Sequence, residues 1–241
     1  MINRRNFLNR TAGTAVVASA IYGVERAGAA EPFPRSPVLA ADRSNPVPSS
    51  VHADLKRHGT IFERKIRQVG GHVYSAVGFA DGNSVMVVGD DGVIIVDTGP
   101  DLAAAREVAA EFRKITDKPV RAVIYTAFHV DHINGVKAFA STDDVEAGRV
   151  TIIAHETLLA NVIRSTGTIG PILGMRTAYN FGAPLVGADI DGMNLGNGPL
   201  NPRPNVLPSF SAPTTTFSST LDVTIAGVAM KLAHVPSAAA D

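Results

Sequence analysis

A cluster of metal-binding residue types directly after an apolar segment constrains this 241-residue chain more than any other feature. Residues 120–125 form a largely apolar run that predicts a buried strand. His129, Asp131 and His132 follow shortly after it, and imidazole nitrogen and carboxylate oxygen are the ligands of hydrolytic zinc. A loop leaving a strand end can turn these side chains into one cleft, which predicts a metal site. The alternative interpretation is a polar loop with two incidental histidines.

The composition limits which donors and partners are available. Cysteine is absent, so disulfides and thiolate ligands are excluded and any metal must be held by histidine and carboxylate. The 22 basic and 22 acidic residues balance, and no basic stripe is present, which argues against nucleic acid as a partner. A hydrophobic content of 45% is enough for a buried core.

The first 70 residues read as export and linker sequence. Residues 3–8 carry Arg4-Arg5 and resemble a twin-arginine signal, a short apolar stretch follows, and residues 27–29 form a small-x-small cleavage site. We therefore expect a signal peptide over 1–30, a Pro-, Ser- and Ala-rich leader or linker over 31–70, recognition by the twin-arginine export machinery, and a periplasmic or secreted product. The apolar stretch is too short to span a bilayer, and the alternative is an N-terminal helix with a basic cap.

Hydrophobic patterning over the remaining residues predicts an α/β or α+β layered domain. An initial β-meander is followed by alternating helices and strands. The predicted strands are 72–77, 84–88, 93–96, 120–125, 150–154, 221–226 and 228–235, and the predicted helices start near residues 100, 133 and 156. Residues 165–215 are rich in Gly and Pro and predict a long loop, either a functional lid or a disordered segment.

The loop that contains His129, Asp131 and His132 resembles the His-x-His-x-Asp-His motif of the metallo-β-lactamase superfamily, with Ala127 in place of the first histidine. The segment ending in Asp97-Thr98-Gly99 is similar to the early strand of that superfamily. Residues 153–156 and 174–182 are similar to the secreted alkylsulfatases within it.

The resemblance implies a metallo-β-lactamase-like αβ/βα sandwich over residues 71–241. Because the sequence stops at Asp241 shortly after a strand-like segment, we expect this domain to be incomplete at its C-terminus, as in a truncated reading frame. An incomplete sandwich would leave an apolar sheet face and a strand edge uncovered.

The resemblance also assigns roles to individual residues. His129, Asp131 and His132 would hold metal, Asp131 would have the catalytic role, and Arg176 and Tyr179 would lie near the substrate, with packing as the alternative role for both. Asp97 would orient a metal ligand, with a turn or helix-capping aspartate as the alternative.

The complete family site holds two zinc ions, and this sequence lacks several of their ligands. One ion would use positions 127, 129 and 238, where Ala127 and Ala238 carry no donor. The second would use Asp131 and His132 with residues expected beyond Asp241. Losing several ligands should abolish tight binding.

Three functions follow as hypotheses. The first is an exported metal-dependent hydrolase in which metal-activated water cleaves a sulfate ester, a small-molecule substrate. The second is a non-catalytic remnant or weak metal binder. The third is a metallohydrolase of lactonase or β-lactamase type, and the long 165–215 segment favours the first hypothesis over the third.

Overall fold

The computed structural model describes residues 52–54, 57, 63–180 and 208–236. These residues fall into two compact units, the larger holding 63–161 and 208–236 and the smaller holding 52–54, 57 and 162–180. In the part of the chain so described, every helix is too short or too polar to cross a membrane.

A seven-stranded mixed sheet forms the centre of the larger unit, with the strands in sequence order from β1 to β7. Neighbouring strands from β1 to β4 pair in antiparallel fashion, and neighbouring strands from β4 to β7 pair in parallel. The strands are β1 Lys65–Gly70, β2 Val73–Val77, β3 Ser84–Val88, β4 Val93–Val96, β5 Val120–Ile124, β6 Thr151–His155 and β7 Thr215–Phe217. Because β4, β5 and β6 are parallel, their carboxyl ends lie at one edge of the sheet.

Helix α1, Leu102–Arg113, makes the crossover from β4 to β5. The Asp101 carboxylate caps it by accepting hydrogen bonds from the backbone N–H groups of Ala103 and Ala104. Its buried face holds small side chains and ends in Phe112, so the helix lies close to the sheet. Pro119 follows it and restricts the backbone of the preceding residue to extended conformations.

Four shorter helices follow: α2 Val130–Ile133, α3 Thr142–Glu146, α4 Leu158–Ile163 and α5 Gly170–Asn180. A 3₁₀ turn covers Val136–Ala138 and a π-helical turn covers Arg164–Thr168. The expectation of a loop from 165 onwards is wrong for residues 170–180, which are helical; Pro171 fits there because proline is accommodated in the first turn of a helix. The rest of that segment up to residue 207 lies outside the described residues.

The second face of the sheet is covered by the hairpin of β8 Thr220–Ile225 and β9 Val228–Ala233. Alternate residues of both strands are partly buried against a cluster formed by Ile94, Ala122, Ile124 and Ile153 of the main sheet. Ala226 and Gly227, at φ values of 52° and 79°, are the two left-handed residues of the tight turn between the two strands.

The predicted layered α/β class is confirmed. Two strands were not predicted. Lys65–Gly70 forms an edge strand inside the segment expected to be leader, and Thr215–Phe217 pairs with β6 at the other edge.

Candidate metal centre

The candidate metal loop begins where two parallel neighbouring strands end. Val96 of β4 lies beside Ile124 of β5. Asp97, one residue after Val96, and Thr126, two residues after Ile124, therefore lie at the same edge of the sheet. Short helix α2 then follows, with His129 in extended backbone conformation at its N-cap. Strand ends of this kind are where α/β folds commonly place binding groups.

The structure brings His129, Asp131 and His132 together. One ligating atom from each of the three lies within 4.8 Å of the others. The Nε2 atom of His132 is 3.3 Å from the Asp131 carboxylate, while His129 is exposed and the other two are half-buried. Two imidazoles and a carboxylate are a donor set that suits zinc and other first-row divalent ions.

Asp97 holds His132 in place. Its Oδ2 atom lies 2.8 Å from the Nδ1 atom of His132, so the Nε2 atom is left facing Asp131. Thr126 secures the same carboxylate by donating from its backbone N–H to Oδ1 at 2.8 Å and from its hydroxyl to Oδ2 at 2.6 Å. Asp97 therefore orients a metal-loop imidazole, and the helix-capping alternative is wrong because the N-cap of α1 is Asp101.

Asp97 adopts this position in an uncommon backbone conformation. Its φ of 56° lies in the left-handed region, which aspartate and asparagine tolerate better than most residues. The Asp97 N–H donates to the carbonyl of Ile124 at 2.9 Å, which holds the turn against β5. Backbone strain of this kind is common where a side chain must be aimed at a functional site.

The backbone of the metal loop is hydrogen-bonded to the segment after β4. Thr98 donates to the carbonyl oxygen of His132 from its N–H at 2.7 Å and from its hydroxyl at 3.0 Å. At Gly135 a Cβ atom would overlap the carbonyl oxygen of Thr98 and the Cβ of Ala105. The loop therefore lies against α1 and the end of β4 so closely that a side chain at 135 has no room.

The charges around His132 favour its protonated form. Burial lowers the pKa of His132, but the hydrogen bond and negative charge of Asp97, with the charges of Asp131 and Asp81, outweigh it and raise the pKa above its ordinary value. A cation would find the same favourable potential at this position, since it replaces the proton among the same carboxylates.

Asp81 was not singled out from the sequence. It lies in the loop between β2 and β3, and burial together with the Asp131 charge raises its pKa. At the next residue, Gly82, a Cβ would come 2.6 Å from the carbonyl oxygen of Asp131, so this loop lies directly against α2. No local motif marks Asp81, since its proximity depends on how the two loops pack.

Two further predicted site residues belong to the smaller unit. Arg176 is an exposed residue of α5 in the smaller unit, and Tyr179 belongs to the same helix. Their predicted contact with substrate stays a prediction. Ala127 occupies the loop with no donor side chain, and residue 238 lies outside the described residues.

His155 lies outside the cluster of three donors. Its Nε2 atom lies 2.8 Å from the Ser218 carbonyl oxygen, and its Nδ1 atom lies 2.8 Å from the Thr157 hydroxyl. The ring stacks on His234 with centroids 3.8 Å apart. Its polar atoms are thus engaged in local hydrogen bonds.

Part of the chain matches the model of a known family. Residues 77–192 match the family model of the metallo-β-lactamase superfamily, a segment that includes the sheet from the end of β2 to β6 and the metal loop. The matched segment, a little under half of the chain, is similar to that superfamily, and the predicted metallo-β-lactamase-like fold is confirmed.

The proteins similar to this chain in sequence include alkylsulfatases. The linear primary-alkylsulfatase of Pseudomonas sp. (strain ATCC 19151) is 51% identical over 156 residues, which are 65% of this chain and 29% of that protein. An alkyl/aryl-sulfatase of Saccharomyces cerevisiae is 34% identical over 124 residues, 50% of this chain and 19% of the relative. The chain thus spans less than a third of the length of these relatives.

A solved structure shows the same fold. The stereoselective inverting sec-alkylsulfatase Pisa1 from Pseudomonas sp. superposes with a TM-score of 0.66 at 18% identity, covering 92% of this chain and 39% of that one. At this level of sequence identity the likeness shows the fold alone.

Proposed function

We propose that this chain acts as an alkylsulfatase-type metallohydrolase, which cleaves the ester of a small alkyl sulfate. The observation that carries the proposal is the convergence of His129, Asp131 and His132 within 4.8 Å at the carboxyl ends of β4 and β5. The 51% identity to a linear primary-alkylsulfatase supports the substrate class.

The residues present fit a divalent cation, and zinc is the ion we propose. A bound zinc ion would supply Lewis acidity and lower the pKa of water, which is what ester hydrolysis at neutral pH requires. His129, Asp131 and His132 would hold the ion, and Asp131, whose carboxylate lies 3.3 Å from Nε2 of His132, would have the catalytic role.

Asp97 has a separate part in the proposed reaction. By engaging Nδ1 of His132 it fixes the tautomer in which Nε2 is free of a proton and available as a donor. Asp81 adds a further negative charge beside Asp131. Both groups help to keep a cation in the loop. Arg176 and Tyr179 remain proposed substrate contacts.

We also propose export through the twin-arginine machinery to the periplasm or exterior, from the signal-like residues 3–8 and 27–29. An N-terminal fusion of residues 1–40 to a reporter tests this. Export should stop when Arg4 and Arg5 are changed to Lys, and unchanged export of that variant would contradict the proposal.

Sulfate release tests the hydrolase function. The full chain, supplied with zinc, is incubated with decyl sulfate below its micelle concentration, and inorganic sulfate is measured over time. We expect release above background that is lost in Asp131→Asn, whereas the surface variant Asp91→Asn retains it. Zinc-dependent release equal in the wild type and Asp131→Asn would overturn the assignment of the site.

A second candidate function is metal binding without hydrolysis. Ala127 favours it, because the loop has no side-chain donor at the position where the family motif places its first histidine. Stoichiometric zinc binding without sulfate release from decyl sulfate would select this function over the first.

A further inference from the structure

The hydroxyl group of Thr126 lies beside the two groups that determine which nitrogen of His132 carries a proton. Its Oγ1 atom is 2.6 Å from Oδ2 of Asp97 and 3.2 Å from Nδ1 of His132. Nδ1 itself lies 2.8 Å from the same Oδ2 atom. The three polar atoms therefore form a triangle in which each is within hydrogen-bonding distance of the other two.

One arrangement of protons satisfies this triangle. An ionised carboxylate only accepts hydrogen bonds, and a hydroxyl group has a single proton to donate. The 2.6 Å contact assigns the Thr126 hydroxyl proton to Oδ2 of Asp97, so that the lone pairs of Oγ1 face Nδ1 of His132. Both oxygen atoms then accept from Nδ1 if it carries a proton. In the opposite tautomer, Nδ1 and Oδ2 would be two acceptors 2.8 Å apart without a proton between them.

A second carboxylate favours that opposite tautomer. Nε2 of His132 lies 3.3 Å from Oδ2 of Asp131, so Asp131 can accept a proton from Nε2 when no cation is bound. Asp97 and Asp131 thus compete, from the two sides of one imidazole, for the proton of the neutral ring. A ring nitrogen that carries a proton has no lone pair for a metal ion. A proton on Nε2 would therefore block the donor atom that lies beside Asp131.

Thr126 strengthens the Nδ1 side of this competition. Its backbone N–H donates to Oδ1 of Asp97 at 2.8 Å and its hydroxyl donates to Oδ2, so both carboxylate oxygen atoms are held and Oδ2 stays directed at Nδ1. Its Oγ1 atom is also a second acceptor for the Nδ1 proton. The Asp97 side chain is only 10% exposed, so water has limited access to replace the hydroxyl group there.

We propose that Thr126 is a positioning residue whose hydroxyl group selects the Nδ1–H tautomer of His132 and so keeps Nε2 free for a cation. The inference rests on the proposed function of the metal loop and deepens it. Thr126 acts through Asp97 and His132 and is not itself a ligand. Because Ala127 supplies no donor, the loop depends more strongly on each imidazole that it retains.

Three variants of the full chain separate the hydroxyl group from the shape of the side chain. Thr126→Val removes the hydroxyl and keeps a β-branched side chain of similar size. Thr126→Ser keeps the hydroxyl and removes the methyl group. Thr224→Val is the matched control, since it makes the same change at an exposed position of β8. Thermal unfolding checks that all three fold, and the exposure of Thr126 favours that outcome.

Nitrogen-15 NMR of the metal-free chain measures the tautomer without any bound ion. The His132 signals are identified by their absence in His132→Ala, and spectra are recorded at about pH 9, well above the ordinary imidazole pKa of about 6.5. We expect the Nδ1–H tautomer to predominate in the wild type, Thr126→Ser and Thr224→Val. In Thr126→Val the population of the Nε2–H tautomer should rise at least about threefold, because one hydrogen-bonding partner on the Nδ1 side is lost.

Zinc affinity is the second measurement, by titration against a competing chelator. Thr126→Val should bind zinc about tenfold more weakly than the wild type, since groups that orient a ligand commonly change metal affinity by about that much or more. Thr126→Ser and Thr224→Val should stay within about twofold of the wild type, because the first keeps the hydroxyl group and the second lies outside the metal loop.

The outcomes distinguish this inference from the proposed function. Tautomer populations in Thr126→Val equal to those of the wild type would overturn the inference. An affinity loss in Thr126→Ser as large as that in Thr126→Val would also overturn it, since the methyl group would then be the part that matters. A shifted tautomer in Thr126→Val, in a chain whose wild type binds no zinc, would support the role of Thr126 and contradict the proposed hydrolase.

Discussion

The two ends of the same parallel strands have opposite chemistry. At the carboxyl ends of β4 and β5, Asp97, Asp131 and the imidazole of His132 already contact one another. At the amino ends, Arg121 forms a long ion pair of 3.5 Å with Asp91, and Arg113, Lys118 and Arg149 lie around the same surface depression. One end thus gathers carboxylates around an imidazole, and the other carries mainly cationic side chains.

The comparison shows that the strands determine position and the loops determine chemistry. Most residues of these strands are apolar and buried, such as Ile94 and Val123. Most of the charged groups come from the connections after or before the strands, although Arg121 is the second residue of β5. A parallel arrangement keeps the two sets of connections at opposite edges of the sheet, so cationic and anionic groups can be concentrated separately.

The largest predicted effect on this comparison comes from removing a metal ligand. His132→Ala should lower zinc affinity at least about a hundredfold, because the remaining donors do not complete a coordination shell. Isothermal titration with a competing chelator measures it. His155→Ala is the control and should bind zinc as the wild type does, since its ring lies outside the cluster. An unchanged affinity in His132→Ala would exclude this loop as the zinc site.

Asp97→Asn should lower zinc affinity by about 10–100-fold, a smaller loss than that of His132→Ala. Asparagine tolerates the left-handed backbone at this position but carries no charge to hold the His132 imidazole. The same titration measures the effect, with Asp91→Asn as a control of equal charge change on the surface. Equal affinities in the two variants would show that Asp97 does not act on the metal loop.

Packing beneath the loop is tested by Gly135→Ala. Because a Cβ would overlap the Thr98 carbonyl and Ala105, we expect the free energy of unfolding to fall by about 1–3 kcal/mol. Gly71→Ala, where a Cβ would meet nothing within 4 Å, should change it by less than about 0.5 kcal/mol. Chemical denaturation of both variants measures the difference, and equal stabilities would contradict the close approach.

The smallest effect is a pH dependence. In the metal-free protein the pKa of His132 lies above its ordinary value, chiefly because Asp97 outweighs the opposing effect of burial. This group therefore stabilises the fold below about pH 6.5, and that contribution is lost as pH rises through the folded pKa. An NMR titration of the imidazole should show a lower pKa in Asp97→Asn and no change in Asp91→Asn. A pKa that stays raised in Asp97→Asn would assign the effect to other groups.

Much of the fold could be predicted from the sequence, because strands β2 to β6 and helix α1 bury regular apolar faces. Strand β1 could not, since nearly all of its residues are exposed and its position depends on pairing with β2. Strand β7 has three residues, too few for a periodic signal. Helix α5 lies in a Gly- and Pro-containing segment that predicts a loop on local grounds.

The candidate site divides in the same way. His129, Asp131 and His132 are neighbours in sequence, so their spacing alone indicated a metal loop. The contact of Asp97 with His132 joins residues 35 positions apart, and local sequence leaves it no more probable than a capping role. Asp81 approaches through the packing of two loops, for which the sequence contains no pattern.

Zinc stoichiometry of the unaltered chain tests the central claim most directly. After removal of metal, the protein is dialysed against micromolar zinc and its metal content is measured. The convergence of His129, Asp131 and His132 predicts close to one equivalent of zinc per chain. Less than about a tenth of an equivalent would contradict the claim that this loop is a metal site.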